Sequence, residues 1–139
     1  MFKSLIIGLL ILGSVASHAG DLQQLCYSVR PGSSLNYCGH IADSDLSNLC
    51  NSTRPDSNQF YCDYISDYDL RNLCVSIRKN NTQYNCDYIS DYDLKNLCYS
   101  TRPDNTLGNC EYIENYDLRS LCQSIRPNGS INNCGFIVD

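Results

Sequence analysis

The stretch DLRNLCVSIRKNNTQYNCDYISDY, Asp69 to Tyr92, decides the fold, because the chain is built from copies of it. Leu70, Leu73, Cys74 and Ile77 fall at i, i+3, i+4 and i+7, which places them on one face of an α-helix. Asp67 stands where an N-cap belongs, and Asp69 puts negative charge in the first turn, where the helix dipole favours it. The apolar pattern stops at Arg78. A second, shorter helix is expected after Thr82, burying Cys86 and Ile89, and the step Ser90-Asp91 would cap the first helix of the next copy.

Outward from this unit the same pattern recurs with a period of 24, in copies 21–44, 45–68, 69–92, 93–116 and 117–139. Leu22, Leu46, Leu70, Leu94 and Leu118 open the copies, and each has a second leucine three residues on. Serine recurs at 28, 52, 76, 100 and 124, and isoleucine at 41, 65, 89, 113 and 137. Four copies follow their arginine with a proline (Pro31, Pro55, Pro103 and Pro127), which disfavours helix at the preceding residue. The residues equivalent to Thr82 are Ser34, Asn58, Thr106 and Ser130, all N-cap types. A period between about 20 and 50 residues means stacked units that lean on their neighbours.

The expected fold is therefore all-α: a short α-solenoid of five 24-residue, disulfide-stapled helical hairpins. Ten helices packed about 8–10 Å apart would make a stack on the order of 45 Å long. The alternative is a β-containing, leucine-rich-like solenoid, since the period and Leu70-x-x-Leu73 suit one. Against it, the residue after the first cysteine, which should point inward in a strand, is Val75 here but Tyr27, Asn51, Tyr99 and Gln123 elsewhere.

Ahead of the repeats, Lys3, an apolar run from Leu5 to Val15 and the small residues Ser17 and Ala19 describe a secretory signal peptide, residues 1–19. The run is short for a membrane span, which needs about 20 residues. Residues 20–139 then form a single repeat domain with no membrane insertion. All 15 acidic residues lie in it, and without Lys3 its net charge is about −6. That balance excludes nucleic acid as a natural partner, since phosphate contacts need clustered Lys and Arg.

The ten cysteines, spaced by twelve from Cys26 to Cys134, read as five disulfides in an oxidising compartment, secreted or periplasmic. Zinc ligation is disfavoured by the lack of any close C-x2-C pair. Two regular pairing schemes exist. Pairing within copies (Cys26–Cys38, Cys50–Cys62, Cys74–Cys86, Cys98–Cys110, Cys122–Cys134) leaves nothing over. Pairing across junctions strands Cys26 and Cys134 at opposite ends of a linear stack. The within-copy scheme is the expectation.

For chemistry the chain offers little. Outside the leader the lone histidine is His40, the recurring serines lack a base, and the cysteines are committed, so no enzyme, cofactor or metal is expected. The Asp-x-Asp pairs (Asp43/Asp45, Asp67/Asp69, Asp91/Asp93) raise calcium as an alternative, but no glycine follows them as a calcium loop requires. Columns of Arg30, Arg54, Arg78, Arg102 and Arg126 and of Asp45, Asp69, Asp93 and Asp117 are expected to be structural and paired. An aromatic column of His40, Tyr64, Tyr88, Tyr112 and Phe136 runs beside a shorter one of Tyr68, Tyr92 and Tyr116. The six tyrosines form a candidate binding face for a protein or a glycan, because Tyr offers contact area with a polar tip. The functional expectation is an exported binding scaffold; the alternatives are a protease-resistant structural or defensive protein, as inhibitor or effector, and a calcium-dependent module. Sequons stand at Asn51, Asn80 and Asn128.

Overall fold

A computed structural model of the chain describes residues 15–80, 84–103, 108–127 and 132–138, with side chains from Gly20 onward. The architecture is all-helical, and among the described residues there is no strand, so the β alternative falls. Among the described residues five α-helices, α1 (Val15–Val29), α2 (Ser44–Thr53), α3 (Tyr68–Ile77), α4 (Tyr92–Thr101) and α5 (Tyr116–Ile125), alternate with five single-turn 3-10 helices. These are η1 (Cys38–His40), η2 (Cys62–Tyr64), η3 (Cys86–Tyr88), η4 (Cys110–Tyr112) and η5 (Cys134–Phe136).

The expected first helix forms for the expected reasons. The Asp67 side chain accepts from the Leu70 N–H, and Asp43 and Asp91 do the same for Leu46 and Leu94. Asn115 takes that role in the fifth copy. Leu70, Leu73 and Cys74 are buried with their counterparts in every copy. The arginines end the helices in extended conformation, Arg78 included although Lys79 follows it instead of proline. In the turn beyond, Gly32 and Asn80 hold equivalent positions with φ of 74° and 59°, a left-handed conformation that Gly and Asn tolerate.

The second arm of the hairpin is shorter than expected. Cys86 and Ile89 are buried as foreseen, but only one 3-10 turn forms, and its N-cap position holds Asn85 without a side-chain cap. Ser34 and Asn58 lie in irregular chain and cap nothing; Thr82, Thr106 and Ser130 lie outside the described residues. A buried serine explains the extended path. Ser28, Ser52, Ser76, Ser100 and Ser124 each accept from the backbone N–H nine residues on, at Tyr37, Tyr61, Asn85, Asn109 and Asn133, over 2.7–2.9 Å. With that N–H tied to the preceding helix, the chain returns as an extended strap.

The stack is not an open rod. Helix α1 packs against α5 just as it packs against α2, so the solenoid closes into a ring. Val29, Thr53, Ile77, Thr101 and Ile125, the last residue of each helix, line one small central cavity of about 30 Å³. Each copy turns the chain by a fifth of a revolution, and five copies complete it. The predicted leader boundary falls at Gly20, the position at which Ser44, Tyr68, Tyr92 and Tyr116 start their helices.

Closure decides the disulfides, and the within-copy pairing is wrong. All ten cysteines are bridged, as Cys38–Cys50, Cys62–Cys74, Cys86–Cys98, Cys110–Cys122 and Cys26–Cys134, with Cα atoms 5.5–5.7 Å apart. Each 3-10 turn packs on the helix that follows as well as the one before, and its cysteine faces the helix that follows. Cys26 and Cys134, stranded in a linear stack, meet across the seam 108 residues apart in sequence. Gln23 reinforces the seam by donating to the carbonyls of Cys134 and Ile137.

Non-reducing peptide mapping is expected to recover a Cys26–Cys134 linkage and no Cys26–Cys38 linkage. A twelve-residue loop contributes about 3 kcal/mol in the chain-entropy model. The seam bridge closes a longer loop, shortened to roughly half by the other bridges, and contributes about 4 kcal/mol. Removing Cys26 and Cys134 together (both to Ser) is therefore expected to lower the thermal midpoint more than removing Cys62 and Cys74, as scanning calorimetry would measure.

Candidate functional site

The repeated aspartates serve the scaffold, by a route the sequence did not disclose. Asp69, 3% exposed, accepts from two backbone N–H groups of the next copy, Ser90 and Asp91, both at 3.0 Å. Asp91 in turn caps α4 through the Leu94 N–H. Asp93 then receives the N–H groups of Glu114 and Asn115. The same clamp joins Asp21 to Ala42 and Asp43, and Asp45 to Ser66 and Asp67. Asp117 carries it toward the seam by accepting from Val138. Clamp and cap alternate around the ring, so each Asp-x-Asp pair joins one helix start to the next.

This arrangement commits both oxygens of Asp45, Asp69 and Asp93 to N–H donors instead of arraying them around a cation. Among the described residues no group of three His, Cys, Asp or Glu is disposed to hold a metal. Among the described residues the arginine column is seen in contacts other than the expected pairing with the Asp column. Arg78 lies 4.4 Å from the centre of the Phe60 ring, Arg102 lies 5.0 Å from Tyr84, and Arg54 pairs with Asp56 at 2.6 Å. Arg54, Arg78 and Arg102 thus leave their helix ends to cover loops, whereas the clamp aspartates of α2 to α5 sit at the helix starts.

The tyrosines of the candidate face point outward. Tyr64, Tyr88 and Tyr112 are 61–71% exposed, and Tyr68, Tyr92 and Tyr116 are each 58% exposed. They do not shield the bridges. Tyr64 leans on Tyr61, ring centres 5.9 Å apart, and keeps the rest of its surface in solvent. Repetition of η2, η3 and η4 sets the three pairs side by side along one arc. Each turn also presents an exposed acid, Asp63, Asp87 or Glu111. At the seam the arc changes character: Gly39 and Gly135 replace the acids, and His40 and Phe136 replace the tyrosines.

That difference opens a site the sequence reading missed. Gln24, Tyr27, Tyr37 and His40 line an open cavity of about 460 Å³. The Tyr27 and Tyr37 rings meet edge to face, 6.5 Å apart at 85°, and Tyr37 and His40 lie 6.1 Å apart at 50°. The available signal was the set of departures in the end copies, where an acid gives way to glycine.

Of the sequons, Asn51 lies within α2 and donates to the Ser47 carbonyl, Asn80 sits in the left-handed turn, and Asn128 lies outside the described residues. No helix of the described residues is long and apolar enough to cross a membrane. No family model matches the chain, and no curated protein or solved structure matches it either.

The two aspartate roles differ in what they need. A cap needs one acceptor oxygen, and Asn115 supplies one. The clamp needs two, and all five clamp positions are Asp. Asp69→Asn turns one acceptor into an amide donor facing an N–H and is expected to cost on the order of 2–3 kcal/mol. Asp67→Asn should cost less than about 1 kcal/mol. Urea unfolding of the disulfide-intact variants measures both.

Proposed function

We propose that the protein is exported behind a leader at residues 1–19 and acts, without catalysis, as a binding scaffold that engages a polypeptide through its tyrosine–acid arc. Five buried disulfides belong to an oxidising, extracellular type of environment. The leader boundary at Gly20 supports export, because cleavage there leaves α1 starting in register with the other helices. The observation that carries the binding reading is the exposure of six tyrosines at symmetric positions of three consecutive copies. Large rings left in solvent offer contact area with little rotamer entropy to lose, and Tyr is enriched where interface energy concentrates. Asp63, Asp87 and Glu111 beside them favour a partner with basic groups. The alternative of a protease-resistant structural or defensive protein, as inhibitor or effector, draws on the bridge that closes the ring.

The test compares protein 20–139, produced in an oxidising compartment, with a variant carrying Tyr64→Ser, Tyr88→Ser and Tyr112→Ser. The partner captured from extracellular extract by the parent protein is purified and titrated against both. An affinity loss of about 100-fold or more in the variant is expected if each ring contributes upward of about 1 kcal/mol. Equal affinity for parent and variant would move the site off the arc.

A further inference from the structure

The cavity at the seam differs chemically from the tyrosine–acid arc, and its chemistry follows from comparison with an equivalent place in the ring. In the fourth copy Tyr99 occupies the position of Tyr27, and its hydroxyl donates to the Asp87 carboxylate. Across the seam, the residue that stands to Tyr27 as Asp87 stands to Tyr99 is Gly135. A side chain begun there would have its Cβ 3.6 Å from the Tyr27 hydroxyl, an ordinary contact distance. Glycine therefore leaves beside that hydroxyl the place a carboxylate fills at Tyr99. Of the other lining residues, Gln24 and His40 are particular to this copy, and Tyr37 recurs as Tyr61 in the second. Where the first copy has Gln24, Tyr37 and His40, the fourth has Asn96, Asn109 and Tyr112. The cavity has no carboxylate among its lining residues.

Two phenols, an imidazole and an amide around an opening of about 460 Å³ without carboxylates suit a ligand with an apolar face and a rim of hydroxyls. We propose that the seam cavity is a carbohydrate-binding site for a neutral pyranose, distinct from the arc. The ring face of Tyr37 takes the C–H face of the sugar. The Tyr27 hydroxyl, the Gln24 amide and a His40 ring nitrogen hydrogen-bond its hydroxyls. An organic cation, which aromatic boxes also accept, is disfavoured by the missing carboxylate. The four lining residues all belong to the first copy, and closure of the ring brings Gly135 beside Tyr27 across the seam.

The test titrates disulfide-intact protein with methyl β-glucopyranoside, methyl β-galactopyranoside and N-acetylglucosamine by calorimetry and saturation-transfer NMR, with choline chloride as the cationic comparator. Saturable binding of at least one pyranoside is expected, with Kd on the order of 1–10 mM for so open a site. Gly135→Asp restores the carboxylate seen beside Tyr99, and is expected to weaken binding about tenfold while leaving the thermal midpoint in place. Tyr37→Ala should abolish binding, and Tyr88→Ala on the arc should not affect it. The proposal is overturned if no pyranoside saturates by about 100 mM, if choline alone binds, or if Gly135→Asp binds as the parent does.

Discussion

Everything in this ring depends on a carboxylate at one position of each copy, the second residue of α2 to α5 and Asp21 in α1, holding backbone N–H groups of the next copy. The units are too short to stand alone. Helices of ten residues are marginal in water, and the apolar side chains each copy buries from its recurring positions are two leucines, an isoleucine and two cysteines. The clamp fixes the junction between copies, where a loose hinge would let the solenoid open. It also places the next N-cap, so that order in one helix start is handed to the next. Because hydrogen bonds to a charged acceptor are among the stronger ones and these carboxylates are mostly buried, the junction angle is tightly held.

A fixed junction angle repeated five times is what makes closure possible. A small change per copy would leave Cys26 and Cys134 on an open spiral, out of reach of one another. Instead they meet at the same Cα separation as Cys38 and Cys50, within a tenth of an ångström or two of every other bridge. Ring and bridges support each other: the clamp sets the curvature, and the seam bridge removes the open state from competition. The buried serines complete the frame by tying each return strap to the helix it leaves.

On this frame the surface divides by copy. The middle three copies present tyrosines beside acids, a charged, contact-rich arc. At the seam, glycines replace the acids and an uncharged aromatic cavity opens. A closed ring turns sequence drift between copies into position around a circumference, so two surfaces of different chemistry stand on one rigid body.

Much of this was legible in the residues. The period, the leucine and cysteine face, the Asp67-type caps and the oxidised state of the cysteines follow from local chemistry: helix spacing, capping and an even count of regularly spaced thiols. The outward tyrosines were legible as a column, though not as exposed. Three things were decided only by tertiary structure. The disulfide partners depend on which helix each 3-10 turn faces, and both regular schemes satisfy the twelve-residue spacing equally. The clamp joins Asp69 to N–H groups 21 and 22 residues away, a distance at which no local pattern speaks. The approach of Gly135 to Tyr27 brings together residues at opposite ends of the repeat array. Local sequence determines each unit, but the angle between units is a sum of packing contacts. Whether five such angles close a circle is a property of the assembled chain alone.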